Sequence, residues 1–399
     1  MLACTVATVN HLPYARVLAR SLEEHDRGAR LLVLVPDDPV LEVGEGEPFE
    51  VLRPADVGID SAELGRRALL YDPVELACSM KAPLLRHAVG RSSDPVAFID
   101  ADCLVYDDLA PLIDAATGPG LALTAHSLSP IPPGRDPVEV LFLQHGTFNA
   151  GVLAAGTDGL PAVDWWAERT ARHCVHDHAR GLTADQSWIA LVPALFDYAV
   201  VRDRGINVMG WNVFDRDVEW SDGGVPSIDG GPLRCFHFAG AFDPHRPEAF
   251  GPAPDRRAPW PPVDERPGVA RVCRDYGERL LAAGYDRDRP RPFGYARVPG
   301  GPPIDPVMRE TYREALLDAE RDAGDEPPNP FVSGTTEGFL SWLASPGDNS
   351  LPRYLERARA RRHDLREAFP SVPGDDAHGF LAWVREAAER DEIDLGWLR

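Results

Sequence analysis

The sequence predicts an α/β protein with a mostly parallel central sheet flanked by helices, followed by a mainly helical C-terminal extension. Residues 3–9 and 31–35 are short runs rich in aliphatic and β-branched residues, typical of buried strands, and apolar residues recur at helical spacing between them. This β-α-β order implies parallel strands that helices cover on both faces. From residue 307 onward helical spacing dominates, which predicts the extension.

Length, charge and cysteine content limit the possible functions. The chain of 399 residues exceeds one typical domain, and its net charge of −22, from 41 basic and 63 acidic residues, argues against nucleic acid or an anionic membrane as main partner. No apolar run is long enough to cross a bilayer and the N-terminus lacks the features of a signal peptide, so we expect a cytoplasmic protein. The six cysteines are scattered without a C-x-x-C pair, which predicts reduced, buried side chains.

Composition divides the chain into three predicted parts. Residues 1–250 carry the strand and helix patterns of a catalytic domain, and residues 251–306 form a proline-rich linker or wrapping arm with one amphipathic helix. Residues 307–399 form the helical extension, in which residues 337–343 are echoed by residues 378–384. Two copies are too few for a solenoid, so we expect a small helical appendage.

Two acidic residues follow the apolar strand Val96–Ile99. Asp100 and Asp102 are one residue apart, and in an extended segment residues i and i+2 point to the same side, so both carboxylates converge on one object. Carboxylate oxygens completed by water and substrate phosphate suit Mg²⁺ or Mn²⁺. The pattern therefore predicts a divalent cation site at the end of a buried strand. The alternative is a pair of solvated acids.

Other segments place candidate contacts at the ends of elements. The turn Thr8-Val9-Asn10-His11 follows the first strand, at the edge where open sheets bind ligands, and it contains no dinucleotide-binding glycine motif. A helical pattern spans Pro73–Val89, and Pro83 predicts a break or kink in it. Beside that proline stands Lys81, the only lysine of the chain. It is a candidate substrate contact, with a solvated surface side chain as the alternative.

Three further segments each have a structural explanation beside a functional one. The strand pattern over 147–154 contains Asn149, which offers a donor and an acceptor, and Gly151, which permits close backbone approach. Asp185 and Gln186 open a helix, where Asp185 or Thr183 is a candidate N-cap. His237 lies in an apolar strand, where a core histidine is the alternative to a ligand. The cluster of His173, His176 and His178 does not converge on a helix, so we predict no metal site there.

These features, in this order, resemble the GT-A nucleotide-sugar glycosyltransferases, most nearly the retaining glycogenin-like and lipooligosaccharide-galactosyltransferase-like group. The resemblance covers about residues 1–250 and rests on four motifs: Phe98-Ile99-Asp100-Ala101-Asp102, Phe148-Asn149-Ala150-Gly151, Asp185-Gln186 and Phe236-His237-Phe238-Ala239-Gly240. The tail looks like an extension found on bacterial glycosyltransferases. The resemblance implies the GT-A fold and transfer of a sugar, with retention, from a nucleoside diphosphate sugar, UDP-sugar by default, to a glycan or small-molecule acceptor.

The resemblance also implies roles for single residues. Asp100, Asp102 and His237 would hold the cation, Mn²⁺ or Mg²⁺, and Asp185 and Gln186 would lie by the anomeric carbon. The implied donor contacts are Thr8, Asn10, Lys81, Asp100, Asn149, Gly151 and Gly240. The sequence departs from the family after Gly240, where Ala241-Phe242-Asp243-Pro244 replaces a Lys-Pro-Trp segment that helps to hold the diphosphate.

Two other functions compete with this interpretation. One is a non-catalytic sugar-nucleotide binding protein of the same fold. The other is a phosphatase with an aspartate nucleophile, which is disfavoured because its acidic strand usually opens the domain and has threonine or valine where Leu104 stands. A nucleotidyltransferase is disfavoured because the first turn is neither glycine-rich nor arginine-containing.

Overall fold

The computed structural model describes residues 1–390, with gaps at 39–45, 132–136, 211, 214–215, 241, 251–262, 264–265, 333–334, 348–350 and 373. Contacts within the chain divide it into two units. The first comprises Met1–Gly58 and Pro73–Phe293, and the second comprises Ile59–Asp72 and Gly294–Arg399.

The first unit is built around a seven-stranded sheet, and all strands of the described residues lie in this unit. They are β1 (Leu2–Val6), β2 (Arg30–Leu34), β3 (Glu50–Leu52), β4 (Val96–Ile99), β5 (Cys103–Val105), β6 (Leu121–Ala125), β7 (Phe148–Ala155), β8 (His176–Asp177), β9 (Leu182–Thr183), β10 (Ala199–Val200), β11 (Val208–Met209), β12 (Val218–Trp220), β13 (Pro226–Ile228), β14 (Gly231–Pro232) and β15 (Cys235–His237).

The central sheet is mostly parallel, in the strand order β10-β6-β7-β4-β1-β2-β3. Strand β1 runs parallel to β2 and β4, β2 runs parallel to β3, and β10 runs parallel to β6. Strand β7 is the exception, because it pairs antiparallel with both β4 and β6. The continuous apolar sequence of β4 matches its complete burial, and β7, which contains Asn149 among apolar and small residues, is also buried throughout, as expected for strands covered on both faces.

Helices cover the sheet and make up the second unit. They are α1 (Leu12–His25), α2 (Ser61–Leu70), α3 (Pro73–Ser79), α4 (Lys81–Val89), α5 (Ala110–Thr117), α6 (Pro137–His145), α7 (Leu160–His173), α8 (Gln186–Ile189), α9 (Val192–Leu195), α10 (Pro267–Ala282), α11 (Tyr285–Asp288), α12 (Pro306–Asp322), α13 (Thr336–Ala344), α14 (Arg353–Arg361), α15 (His363–Ala368) and α16 (Ala377–Arg390). The predicted fold class, a mostly parallel sheet flanked by helices with a helical C-terminal region, is confirmed.

A small sheet beside the first brings a late strand to the acidic residues. Its order is β11-β15-β5, and β15 runs antiparallel to β5 with His237 opposite Cys103. Because β5 begins directly after Asp102, this register places His237 next to the acidic turn. The backbone N–H of Phe238 donates to the carbonyl of Asp102 at 2.9 Å and fixes the register there.

The predicted helix over 73–89 is broken, but not at the proline. The break lies at Met80, between α3 and α4, and Pro83 sits in the first turn of α4. In that turn a missing backbone N–H loses no intrahelical bond, so proline is tolerated. The position of the break makes Lys81 the first residue of α4.

Helix α10, from the stretch predicted as a linker or arm, belongs to the first unit. The ring of Tyr276 stacks on Phe238 with centroids 3.7 Å apart, and Val272 is fully buried. The predicted boundary at residue 250 therefore does not coincide with the division between the units. The three-part division of the chain stays a prediction, and its proline-rich part over 251–262 lies outside the described residues.

The second unit joins α2 to the C-terminal helices through buried polar contacts. The guanidinium of Arg309 donates to the carbonyls of Ala68, at 2.8 Å, and Tyr71, which satisfies acceptors at the end of α2. The two echoed segments lie in α13 and α16, where Phe339–Trp342 and Phe380–Trp383 are stacked ring pairs. Among the described residues, no helix combines the length and apolarity needed to cross a bilayer.

Candidate active site

The acidic pair occupies a tight turn at the carboxyl end of β4. The N–H of Cys103 donates to the carbonyl of Asp100 at 3.1 Å, so residues 100–102 are not extended as the sequence analysis assumed. Both carboxylates still face the same site, and about a quarter of each side chain is exposed, 25% for Asp100 and 26% for Asp102. The turn thus presents two reachable carboxylates at the edge of a buried sheet.

His237 meets these two acids from β15. Its Nε2 lies 3.2 Å from Asp102 Oδ1 and 3.9 Å from Asp100 Oδ2. Burial acts to lower the pKa of His237, but the carboxylates of Asp102 and Asp100 outweigh it and raise that pKa above its ordinary value. Its Nδ1 lies 3.0 Å from Asn207 Oδ1.

Gly151 leaves the space that these side chains occupy. A Cβ at this position would lie 2.5 Å from Asp100 Oδ2, 2.5 Å from His237 Cε1 and 2.9 Å from Asn149 Oδ1. The carbonyl of Gly151 also accepts the N–H of Asp100 at 2.6 Å, and this bond joins the two strands at the crowded position. Any side chain at position 151 would therefore displace the candidate ligands.

Lys81 is buried at the start of α4 and points into the same site. Its ammonium lies 2.9 and 3.1 Å from the two carboxylate oxygens of Asp100, 3.4 Å from Asp185 Oδ2 and 3.5 Å from the carbonyl of Ala150. Burial acts to lower the pKa of Lys81, but Asp100 and Asp185 raise it well above its ordinary value, so the lysine is charged. The surface alternative for this lysine is wrong.

Asp185 and Gln186 lie beside Lys81, and capping does not explain Asp185. Helix α8 is only one turn long, and the Asp185 side chain caps no backbone N–H among the described residues. Thr183 is not the N-cap either, since its hydroxyl lies 2.9 Å from His145 Nδ1. Gln186 is held at both ends, because Oε1 accepts from Asn149 Nδ2 at 3.1 Å and Nε2 donates to the carbonyl of His145 at 2.8 Å.

The turn after β1 is organised by its own polar side chains. Thr8 Oγ1 lies 2.7 Å from Asn10 Oδ1 and 2.9 Å from His11 Nδ1, and the N–H of Val9 donates to Asp37 Oδ1 at 2.9 Å. Burial, followed by the positive charge of an arginine, lowers the pKa of His11. Asp37 follows β2 and stabilises this turn by accepting the N–H of Val9, a role that its sequence position does not indicate.

The segment after β15 contributes to the core. Gly240 has a φ of +109°, in a region that favours glycine. Phe242 is buried and packs against Phe238 with ring centroids 5.1 Å apart, so this part of the segment fills space and carries no charge. Its neighbour Ala241 lies outside the described residues.

The donor set suits a hard divalent cation. Within the described residues, one group of potential ligands has all its atoms within 4.8 Å of one another, namely Asp102, Cys103 and His237. Burial raises the pKa of Cys103 well above its ordinary value, and a sulfur donor is not the kind of ligand that Mg²⁺ or Mn²⁺ prefers. Asp100 lies outside this group, but its Oδ2 is 3.9 Å from His237 Nε2 and offers a carboxylate oxygen of the preferred kind.

Three histidines lie at the end of α7 and around β8. His173 ends α7, whereas His176 and His178 lie in and after β8, and these three do not form a ligand group in the described part of the chain.

Asn207 contacts His237 and Asn149, although it was not among the residues predicted from the sequence. The available signal was an asparagine between Ile206 and Val208 in a predicted strand, where a buried amide needs partners.

Comparison with known proteins gives distant likenesses. No protein-family model matches the chain. It is similar to the uncharacterized protein YfnF of Bacillus subtilis (strain 168), with 27% identity over 249 residues that cover 59% of this chain and 80% of YfnF. Among solved structures it is similar to the galactosyltransferase LgtC in complex with donor and acceptor sugar analogues, with 16% identity, a TM-score of 0.42, and coverage of 71% of this chain and 96% of LgtC.

It is also similar to the glycosyltransferase GlyE of Streptococcus pneumoniae TIGR4, with 13% identity and a TM-score of 0.40. That match covers 73% of this chain and 64% of GlyE.

Proposed function

We propose that this protein is a metal-dependent glycosyltransferase that moves a sugar from a nucleoside diphosphate sugar to an acceptor hydroxyl, with retention at the anomeric carbon. The observation that carries the proposal is the meeting of Asp100, Asp102 and His237 at the carboxyl edge of a mostly parallel sheet, with Lys81 and Gly151 beside them. Open α/β sheets bind their ligands at this edge. The order of the four sequence motifs supports the same class.

The charge balance of the site favours a cation. Three carboxylates, those of Asp100, Asp102 and Asp185, face the single ammonium of Lys81 and the imidazole of His237. A diphosphate brought to these carboxylates without a cation would be repelled. A bound Mn²⁺ or Mg²⁺ would act as a Lewis acid and stabilise the charge that develops on the leaving diphosphate. Asp100, Asp102 and His237 would hold it.

The remaining residues bind and orient the donor in this proposal. Thr8 and Asn10 lie in the ordered turn after β1 and are assigned to the nucleotide, and Gly240 is assigned to the diphosphate. Lys81 fixes the carboxylate of Asp100 and adds positive charge near the diphosphate. Asn149, together with Gly151, is assigned to the sugar, although its amide already bonds to other residues.

Retention is proposed on the resemblance alone, and the lack of an obvious covalent nucleophile among the sequence motifs favours attack of the acceptor from the front face. Among the motif residues, Asp185 is the acid that is not assigned to the cation. Its buried Oδ2 forms no hydrogen bond with any described residue and lies 3.4 Å from Lys81 Nζ. We assign Asp185 and Gln186 to stabilising the positive anomeric carbon while the acceptor attacks from the face that the diphosphate leaves. This assignment needs no covalent sugar–enzyme intermediate.

Calorimetry with a panel of UDP, GDP and dTDP sugars, with and without Mn²⁺, tests the proposal. We expect one donor to bind only with metal present, and the configuration of the transfer or hydrolysis product, read by NMR, then tests retention. Equal nucleotide affinity in excess chelator would refute the metal scheme. The alternative, a non-catalytic binding protein, predicts metal-dependent binding without hydrolysis or transfer.

A further inference from the structure

A buried amide lies behind the ring of His237. Asn207 is 1% exposed, and its Oδ1 lies 3.0 Å from His237 Nδ1. Its Nδ2 donates to Thr124 Oγ1 at 2.7 Å and to Asn149 Oδ1 at 3.1 Å. The amide therefore makes three hydrogen bonds to side chains from three other strands, β15, β6 and β7.

Backbone groups dictate the orientation of the next two amides. The N–H of Gly151 is a donor only and lies 2.9 Å from the Asn149 side chain, so the atom facing it is Oδ1. The Asn149 NH₂ then faces Gln186 Oε1, which also accepts the N–H of Ala150 at 3.4 Å. At the far end, Gln186 Nε2 donates to the carbonyl of His145, which is an acceptor only. The N–H of Gly151 and the carbonyl of His145 therefore set the orientation of the Asn149 and Gln186 amides at the two ends of this row of hydrogen-bonded side chains.

The orientation passes from these amides to Asn207. Because Asn149 presents its oxygen, Asn207 must present its NH₂ to it. Thr124 also requires an NH₂ group from Asn207. Its hydroxyl donates its proton to the carbonyl of Val152 at 2.6 Å, so the hydroxyl oxygen can only accept from Asn207. Asn207 Oδ1 is consequently the atom that faces His237, and the Nδ1 of that ring must carry a proton.

We propose that Asn207, oriented by Asn149, is a positioning residue that keeps a proton on His237 Nδ1 and so leaves Nε2 as the atom that binds the cation. This inference rests on the metal site of the proposed function. Partners that orient a metal-binding histidine in this way fix its tautomer and its ring direction. The row of amides ends on Gln186, so the same hydrogen bonds that orient the cation ligand also orient the residue assigned to the anomeric carbon.

Asn207 has a left-handed backbone conformation that a neighbouring side chain stabilises. Its φ of +54° lies in the left-handed region, which asparagine tolerates better than most residues. Asn212 holds the turn, because its Nδ2 donates to the carbonyl of Asn207 at 3.1 Å and its Oδ1 accepts the N–H of Met209 at 3.0 Å. Backbone strain of this kind persists where the surrounding structure fixes it.

Nitrogen-15 NMR of the His237 ring tests the inference in metal-free Asp102→Ala protein, recorded where the ring is neutral, because the Asp102 carboxylate 3.2 Å from Nε2 would otherwise compete for the ring proton. With Asn207 present in this background we expect a protonated Nδ1 and an unprotonated Nε2. Asn207→Gly tolerates the positive φ and removes the amide, so a water molecule that can donate or accept takes its place and both tautomers become populated. Asn207→Asp keeps an acceptor against Nδ1 and should keep the wild-type tautomer.

Mn²⁺ affinity, measured by electron paramagnetic resonance with Asp102 present, gives the second readout. Asn207→Gly should weaken Mn²⁺ binding by about 10- to 100-fold, the usual effect of losing the partner of a metal-binding histidine. Asn207→Asp should restore most of that loss. Asn329→Gly is the matched control, because it removes another buried asparagine side chain, which bonds to the carbonyl of Gly65, to Tyr312 and to the N–H of Phe331; its Mn²⁺ affinity should stay close to that of the wild type.

An unprotonated Nδ1 in the Asp102→Ala background would overturn the inference, as would Asn207→Gly with unchanged tautomer in that background and unchanged Mn²⁺ affinity with Asp102 present. The Asp102→Ala spectrum decides the tautomer even where an Asn207 variant does not fold. Failure of the wild type to bind Mn²⁺ would refute both the metal site of the proposed function and the ligand role of Nε2. An Nδ1 proton with Mn²⁺ binding that does not respond to Asn207→Gly would refute the positioning role alone.

Discussion

Gly151→Ala is the most direct perturbation of the candidate metal site. The added methyl group would lie 2.5 Å from Asp100 Oδ2 and from His237 Cε1. Ordinary contact between such atoms needs about 3.5 Å, so one side has to move by about 1 Å. The ring of His237 is held by Asn207, and the carboxylate of Asp100 is held by Lys81, so neither can yield freely.

The expected cost is divided between stability and function. Overpacking of a well-packed site costs about 1–3 kcal/mol of unfolding free energy, which the fold can tolerate. A displacement of about 1 Å in a catalytic site lowers activity by about 100-fold. We therefore expect Gly151→Ala to fold and to lose Mn²⁺ affinity and transfer activity together.

Thermal unfolding, Mn²⁺ titration and transfer assays on the same preparation measure these effects. Gly156→Ala is the matched control, because Gly156 follows the same strand, has an extended backbone, and its Cβ would meet Pro95 Cγ at an ordinary 3.5 Å. That variant should behave as the wild type. Wild-type Mn²⁺ affinity and activity in Gly151→Ala would refute the close packing of ligands against position 151.

Three further predictions follow from the same site and from a buried ion pair outside it. Asp102→Asn should abolish metal-dependent donor binding and leave the unfolding temperature nearly unchanged, because a partly exposed carboxylate in a turn adds little stability; full activity in this variant or in excess chelator would contradict the assignment. Lys81→Ala leaves the buried carboxylate of Asp185 and the partly exposed carboxylate of Asp100 without their counter-charge, so it should lower the free energy of unfolding by about 3–5 kcal/mol, as measured in urea, and added Mn²⁺ should recover part of the loss. A loss below about 1 kcal/mol would show that the lysine is not needed as a counter-ion. Burial acts to raise the pKa of Asp288, but Arg287 and Arg16 outweigh it and hold this pKa at about 2, below its ordinary 3.8. The stability that this carboxylate contributes is therefore present above about pH 4 and is lost as the pH falls through about 2. Urea midpoints of the wild type and of Asp288→Asn should therefore differ at pH 6 and converge near pH 2, and a constant difference would contradict the pairing.

The sequence was sufficient for features that depend on neighbouring residues. The buried strand Val96–Ile99 was predicted because its apolar run is short and continuous, and the acids that follow it were found by their spacing. Their convergence was predicted from extended geometry, whereas the structure achieves it with a turn. Each acid lies within 4 Å of His237 Nε2, but the extended conformation expected for residues 100–102 was wrong, since composition alone does not distinguish a strand end from a tight turn.

What the sequence could not supply depends on contacts between distant positions. Asn207 lies 30 residues from His237 and 58 residues from Asn149, and nothing in its local sequence indicates that it joins them. The break at Met80 is a similar case, because Pro83 gave a plausible signal at the wrong residue. Pro83 lies in the first turn of α4, and the helix start at Lys81 leaves that lysine buried.

The buried lysine determines where the uncompensated charge of the site lies. Lys81 begins α4, so its ammonium adds to the partial positive charge of the helix N-terminus, and Asp100 and Asp185 face both. Asp102 has no such partner, because His237 compensates it only while protonated. In the proposed metal site, a neutral His237 that binds a cation through Nε2 would leave the negative charge of Asp102 facing that cation. In that scheme Lys81 pairs with Asp100 and Asp185, and Asp102 is the carboxylate whose charge the metal would neutralise.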